Sequence, residues 1–281
     1  MSDMPSFDSS RGRFRLADRH IAVLAHLLDK ETPPAELFHS LGELQQIGLV
    51  GPEGELSPLL RDLLTALANP LVLIQAEVTG QHGPLNHGVV VGQDTVFSHD
   101  GWPGDEESEY VPIQPSTLVW ELARKVKLQS IDIEASELLG VPEIKTTMGA
   151  LDAAFTALEQ ATDDMDADAT RTAVIASVSG ASDLAEPELS ALAELTMSLI
   201  STWRITTTWG GKPGADSVRS IAVWDCGRHG NWERVQPQEP VQDGQIGPDT
   251  TLHVVRTSSR DLWDKIADLL PDKEDLVPSN A

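Results

Sequence analysis

The chain has little cysteine, few aromatic side chains and few basic residues. One cysteine and one tyrosine occur among 281 residues, and aromatic residues make up 5% of the sequence. A single cysteine excludes an internal disulfide framework and is typical of a protein kept in a reducing cytosol. The 20 lysine and arginine residues face 44 aspartate and glutamate residues, which gives a formal net charge of -24. This excess of negative charge argues against nucleic acid and anionic membrane surfaces as partners.

Long apolar runs are also missing. No stretch approaches the roughly 20 apolar residues that a helix needs to cross a bilayer. The opening segment MSDMPSFDSSRGRFR lacks the apolar core of a secretory signal. Hydrophobic residues still make up 40% of the chain, which is enough for a packed core. We therefore expect a cytoplasmic globular protein.

What the sequence does contain is one order of elements that occurs twice. Periodic apolar residues predict a first set of helices at 16–30, 32–48, 57–68 and 116–128. The same pattern predicts a second set at 147–161, 168–180, 186–200 and 258–270. Runs rich in β-branched residues predict strands near 71–79, 87–92, 94–98, 109–113, 202–209, 217–225, 231–236 and 251–256.

This repeated order predicts an α+β fold of two similar halves related by a pseudo-twofold axis. Each half is expected to contain three helices, a four-stranded antiparallel sheet and a closing helix. An echo at an offset of 143 residues pairs Trp120 with Trp263, and we expect both to be buried at equivalent positions. We expect one domain over 15–270, with halves of about 15–130 and 131–270. Residues 1–14 and 271–281 lack periodic apolar signals and are expected to be flexible.

The segment CGRHG raises the question of a catalytic site, because Cys226 lies between Asp225 and His229. A cysteine nucleophile needs a base that a third group holds against the thiol. Gly227 and Gly230 instead indicate a tight turn between two strands, where three neighbouring residues do not share one rigid face. We interpret the segment as a hairpin turn and expect no enzymatic activity.

Other motifs are incomplete in the same way. The calcium-loop pattern around DDMDAD has Ala169 and Ile175 where glycine and glutamate are needed, and GGKPGAD has Pro213 after the lysine of a would-be phosphate loop. His82, His87 and His99 would provide three zinc ligands if the strands brought them together, but no suitably spaced carboxylate or thiolate accompanies them. We expect no metal and no cofactor.

Two segments resemble a known family. The stretch LQQIGLVGPEGELSPLLRDLLTALANPLVLIQAEV is similar to the helix–turn–helix–strand entry of the EspG family, cytosolic chaperones of actinobacterial type VII (ESX) secretion. The stretch VWDCGRHGNWERVQP is similar to a later signature of that family. The residues that carry the resemblance are Gly48, Leu49, Asp225, Gly227, Arg228, Trp232 and Pro237.

The resemblance implies a quasi-twofold α+β fold and a non-catalytic chaperone or adaptor. Its partner would be a helical secretion substrate, a PE–PPE-like or WXG-type heterodimer, and the acidic surface favours a neutral or basic tip on it. The family's binding surface implies a strand-to-strand loop of the first half, with Gly80, Gln81, His82, Gly83, Pro84, Leu85 and Asn86. It also implies the helix near 188–200, with Glu188, Leu192 and Leu195.

An alternative comes from another class. Residues 36–57 also resemble a winged-helix segment, which would make the chain a transcriptional regulator. The recognition helix would then be LSPLLRDLLTALA, which carries one arginine and no lysine. Helices that read DNA need basic and amide side chains, so the sequence favours the chaperone.

Overall fold

The computed structural model describes residues 4–81, 83–101, 106–129, 139–162, 165–210, 218–236 and 245–276. Within them, eleven strands form one antiparallel sheet. In chain order the strands are β1 (Ser6–Asp8), β2 (Arg13–Ala17), β3 (Val72–Gly80), β4 (Gly83–Val91), β5 (Val96–Gly101), β6 (Glu107–Ile113), β7 (Glu143–Thr147), β8 (Ser201–Trp209), β9 (Val218–Asp225), β10 (Asn231–Arg234) and β11 (Thr251–Thr257). Their order across the sheet is β1-β2-β6-β5-β4-β3-β8-β9-β10-β11-β7. The chain is therefore an α+β protein in which β3 and β8 join the two halves.

The described residues also form eight α-helices. These are α1 (Asp18–Leu28), α2 (Phe38–Gln46), α3 (Pro58–Ala68), α4 (Leu118–Lys125), α5 (Met148–Glu159), α6 (Ala167–Ala181), α7 (Glu186–Met197) and α8 (Ser259–Asp268). Ser57, Thr147, Asp166 and Ser258 cap α3, α5, α6 and α8 by accepting a backbone N–H bond. Each half thus runs strand, three helices, four strands and closing helix.

The predicted strands are all present, but the prediction of four strands per half is wrong. Each half also has a strand directly before its first helix: β2, extended by β1, in the first half and β7 in the second. These strands are short and run straight into helices, so their alternation is too brief to stand out in the sequence. The strand order outward from the centre, β3-β4-β5-β6-β2 and β8-β9-β10-β11-β7, is the same in both halves. A pseudo-twofold relation remains a prediction that superposition of the halves tests.

Both ends that were expected to be flexible contact the rest of the fold where the structure describes them, and their flexibility remains a prediction. Phe14 is fully buried, pairs with Tyr110 of β6 and stacks on Phe7 with ring centroids 4.8 Å apart. Near the other end, Arg219 donates to the Leu270 carbonyl and pairs with Asp275 at 2.8 Å. Residues 1–3 and 277–281 lie outside the described residues.

The two faces of the sheet are covered differently. Closing helices α4 and α8 pack on one face against the central strands, where they meet Val89, Val96 and Val223. Neighbouring side chains of a strand point to opposite faces. Val90 and Phe97 accordingly contact the α1–α3 group, and Trp224 contacts the α5–α7 group. The second face is thus covered at both ends and open in the middle, over β3 and β8.

The expectation that Trp120 and Trp263 are buried is wrong. Trp120 is 54% exposed and Trp263 is 39% exposed. In α4, Leu118 and Leu122 lie two residues on either side of Trp120, and two residues are about 200° around a helix. Because those leucines face the sheet, Trp120 points to solvent.

Candidate partner-binding site

The open middle of the second face contains a cavity of about 420 Å³. Its walls come from the β3–β4 hairpin, from β8, β9 and β10, and from one side of α5. The residues that line it are Glu77, Val78, Thr79, Pro84, Leu85, Asn86, Leu151, Phe155, Leu199, Thr202, Trp203, Arg204, Ala222, Val223, Trp224 and Arg234. A concave site with apolar walls and a few polar groups is the usual form of a binding pocket.

Two arginines flank the floor of this cavity. Arg204 on β8 and Arg234 on β10 both lie directly opposite Ala222 on β9, so the three form one row across the sheet. Glu77 continues the row on the other side of Arg204. Burial, with a smaller contribution from Arg204, lowers the pKa of the Arg234 guanidinium. Across the described residues, neither arginine has a carboxylate within 4.0 Å, and Arg234 makes its one polar contact with Met148 Sδ at 3.7 Å.

The predicted binding loop is mostly strand. Gly80 and Gly83 are paired residues at the ends of β3 and β4, which leaves only Gln81 and His82 between the strands. Gln81 is exposed, and His82 lies outside the described residues. Gly83 has φ +83°, a conformation that glycine adopts at little cost. The other three predicted residues, Pro84, Leu85 and Asn86, lie in β4 and line the cavity.

The helix near 188–200, which the resemblance implies as part of the binding surface, is mostly buried, and partner contacts from it remain a prediction. Leu192 and Leu195 are fully buried in the core between the sheet and helices α5–α7, and Glu188 is half-buried. Helix α7 is enclosed because it packs between α6, α5 and the sheet, so leucines on more than one of its sides are covered. Leu199, just past the end of α7, does line the cavity. The helical wall of the cavity comes instead from α5, through the buried Leu151 and the partly buried Phe155.

The CGRHG segment forms the turn between β9 and β10, as its sequence predicts. Asp225 accepts a bond from the Gly227 N–H, and Cys226 N–H donates to the Gly230 carbonyl. The buried Trp232 indole donates to the His229 carbonyl at 3.0 Å, which ties the turn to the core. Burial raises the pKa of the Cys226 thiol, and Asp225 raises it further. This is the reverse of the activation that a cysteine nucleophile needs.

The remaining residues of the family resemblance have structural positions. Gly48 follows α2 with φ +74°, and Leu49 N–H donates to the Leu44 carbonyl in a helix-ending turn. Leu49 is buried in the core between the sheet and helices α1–α3. Arg228 is exposed, with a nitrogen 3.6 Å from a Glu194 oxygen. Pro237 lies outside the described residues.

Two of the three histidines considered as zinc ligands, His87 and His99, point to opposite faces of the sheet, and His82 lies outside the described residues. His87 Nδ1 is 2.9 Å from Asp100 Oδ1, and Lys125 also pairs with that carboxylate. His99 stacks on Tyr110, on the other face of the sheet. No group of three histidine, cysteine, aspartate or glutamate side chains within the described ranges is placed to hold a metal ion. All but the first residue of the phosphate-loop-like segment GGKPGAD (210–216) and the start of DDMDAD at 163–164 lie outside those ranges.

Sequence reasoning missed Arg204, Arg234 and Phe155. Arg204 lies in TWRITTTW, where alternating polar residues already indicate that one side of the strand faces solvent. The row that joins it to Arg234 depends on strand register, which no local pattern reveals. No helix in the described part of the chain is long and apolar enough to span a membrane.

No protein-family model matches the chain, and no curated protein matches it. Among solved structures, the chain is similar to the type VII secretion system chaperone EspG5 of Mycobacterium tuberculosis, solved in complex with the PE25–PPE41 dimer. The similarity covers 94% of this chain and 100% of that chain, with a TM-score of 0.54 and 9% sequence identity. At that identity the comparison shows a shared fold. The winged-helix alternative is not favoured, because α3 leads into the central strand of a large sheet and not into a β-wing.

Proposed function

We propose that this chain is a non-catalytic, cytoplasmic chaperone or adaptor of the EspG type, which binds a helical type VII secretion substrate. The substrate class is a PE–PPE-like or WXG-type heterodimer. The observation that carries the proposal is the fold shared with EspG5 over 94% of the chain. The resemblance of the segments around Gly48 and Asp225 to the EspG family supports it from the sequence.

The cavity is the proposed contact surface. It combines a hairpin, an open sheet floor and one side of helix α5, and such a concave surface suits the end of a helical pair. Phe155 and Leu199 would contact apolar side chains of the substrate tip. Covering those side chains would keep the substrate from aggregating before secretion.

The test is to purify the tagged chain from the cells that encode it and identify what travels with it. We expect a helical-hairpin protein encoded beside a type VII secretion system. Phe155→Asp should abolish its recovery, because a charge would enter the apolar wall. Phe38→Asp, on the exposed side of α2, is the matched control and should retain the partner. Circular dichroism and thermal unfolding check that both variants fold.

Two results contradict the proposal. One is a chain that carries no protein partner, or carries a nucleotide or duplex DNA. The other is equal recovery of the partner with Phe155→Asp and with Phe38→Asp.

We also infer that the two halves are related by a pseudo-twofold axis between β3 and β8. The identical strand order supports this relation. So does a pair of similar tethers: Lys125 of α4 pairs with Asp100 of β5, and Lys265 of α8 pairs with Glu233 of β10. Each closing helix is thus tied to the third strand after the helices of its half. Superposition of β2–α4 on β7–α8 tests the inference.

A further inference from the structure

The row of residues on the cavity floor has a shape that suits a small anion. Neighbouring strands lie about 4.8 Å apart, so the backbones at Arg204 and Arg234 are separated by about 10 Å across β9. Ala222 stands between them and fills little of that space. Two guanidinium groups can therefore approach a single group placed above Ala222.

The positive charges of Arg204 and Arg234 on the cavity floor are not balanced by a nearby carboxylate among the described residues. Arg13, Arg171 and Arg219 each lie within 4.0 Å of a carboxylate, whereas the exposed Arg61 and Arg260 have none within that distance among the described residues. Arg204 and Arg234 share a cavity without such a partner among the described residues. Glu77 lies directly opposite Arg204 on β3, yet its one described hydrogen bond is the one it accepts from Gln75 Nε2 at 3.4 Å. Arg204 is exposed and Arg234 is half-buried, so their like charges repel each other across a partly solvated space, and an anion between them relieves that repulsion.

The cavity walls indicate which anion fits. Leu151, Phe155, Leu199 and Trp224 place apolar surface beside the arginines. A polyanion such as nucleic acid gains nothing from apolar walls and is repelled by a net charge of -24. A single carboxylate next to apolar side chains fits both the arginines and the apolar walls. Arginine binds carboxylates through paired, charge-assisted hydrogen bonds, and the neighbouring apolar side chains pack on the walls.

We propose that the Arg204–Ala222–Arg234 row binds a carboxylate, an aspartate or glutamate side chain that the partner presents among apolar residues at its helical tip. This proposal rests on the proposed function and specifies the chemistry of the partner. It also revises the expectation of a neutral or basic tip. The outer surface is acidic, but the cavity floor is locally basic and selects an acidic residue at its centre.

A small-molecule probe tests the chemistry without any partner. The arginines are labelled with ¹⁵N, and their Nε–H signals are assigned with Arg204→Lys and Arg234→Lys variants. Millimolar 4-phenylbutanoate, which joins an apolar ring to a carboxylate, should shift the signals of Arg204 and Arg234. The neutral isostere 4-phenylbutanamide should leave them unchanged, and the exposed Arg61 of α3 should not respond to either compound. Equal shifts with both compounds, or no shift with the carboxylate, overturn the proposal.

The second test uses the helical protein recovered with the chain. The double variant R204E/R234E should bind it at least about 30-fold more weakly, because each reversed charge repels the buried carboxylate. R204Q/R234Q removes the charges with a smaller change in shape and should weaken binding in the same direction. R61E makes one of the same charge reversals outside the cavity and should bind like the unaltered chain.

The two proposals fail in different ways. If a helical partner is recovered and R204E/R234E binds it within threefold of the unaltered chain, the carboxylate site is wrong and the chaperone function stands. If 4-phenylbutanoate shifts both arginines but no protein partner is recovered, the site stands and the chaperone function is wrong.

Discussion

The two groups of three helices occupy equivalent places on the sheet but are held together by different chemistry. The α1–α3 group buries a polar pair, with His20 of α1 and Glu43 of α2 both below 5% exposure. The α5–α7 group packs through small side chains, with Ala150, Ala154 and Ala191 buried at its helix contacts. Alanine lets helices approach closely, whereas a buried hydrogen bond fixes their position in one arrangement. Similar architecture therefore does not require similar interior residues.

The polar pair of the first group has a defined protonation state. Ala17 N–H donates to His20 Nδ1 at 3.0 Å, so this nitrogen carries no proton. His20 Nε2 therefore carries the proton and donates it to Glu43 Oε2 at 3.0 Å. Burial lowers the pKa of His20, against the opposing effect of Glu43. The neutral ring thus links β2, α1 and α2.

The largest expected effect comes from removing that link. His20→Ala should lower the free energy of unfolding by about 3 kcal/mol, because it leaves a cavity and takes a hydrogen bond from a buried carboxylate. Urea unfolding measures the change. His39→Ala removes an exposed histidine 3.5 Å from the same carboxylate and should cost less than about 0.5 kcal/mol. Equal losses from the two variants would show that the buried pair does not hold the first group together.

The second prediction compares the halves by their response to pH. Burial lowers the pKa of His20 in the first half and, together with Arg228, that of His229 in the second. A histidine whose pKa is lower in the folded chain binds its proton mainly when unfolded, so stability is lost as pH falls below about 6.5. The loss is at most about 1.4 kcal/mol per pH unit for each group.

Urea unfolding between about pH 5 and pH 8 measures this slope. His20→Gln and His229→Gln should each reduce it, since glutamine does not titrate and can replace the hydrogen bonds of His20. An unchanged slope in both variants would mean that neither histidine is held neutral in the folded chain.

The sequence predicts more of the sheet than of the candidate site. All eight predicted strands are present because their alternating apolar residues lie within single segments. β2 and β7 were not predicted, because they are short and run directly into helices. Arg204, Ala222 and Arg234 form a site only through the register of three strands. The burial of Leu192 and Leu195 was not predicted, because periodicity does not tell which faces of a helix are covered by neighbouring helices.

The third prediction compares two turns at equivalent places in the two halves, the β4–β5 turn and the β9–β10 turn. The β4–β5 turn closes through Gly92 N–H and the Thr95 carbonyl and exposes its tip, whereas the β9–β10 turn buries Cys226. Cys226→Ala should cost about 1 kcal/mol of stability by removing a buried sulfur. Partner recovery should not change, and the thiol of the folded chain should not react with a disulfide reagent, since burial raises its pKa. Loss of partner binding in a folded variant, or rapid labelling, would contradict a purely structural role for this cysteine.

The smallest expected effect comes from the two tryptophans of the closing helices. Trp120 is 54% exposed and Trp263 is 39% exposed, and Trp120 has the Arg124 guanidinium 5.9 Å from its ring centroid. Because a large share of each side chain already contacts water, Trp120→Ala and Trp263→Ala should each cost about 0.5 kcal/mol. Leu122→Ala and Leu262→Ala remove fully buried neighbours on the same helices and should cost about 3 kcal/mol each. Thermal unfolding of the four variants gives the comparison.

These helices lie on the face opposite the cavity, so the tryptophan variants should also retain the partner. If a tryptophan variant instead unfolds as readily as its leucine neighbour, that closing helix presents a different side to the sheet, and the similar placement of α4 and α8 fails with it.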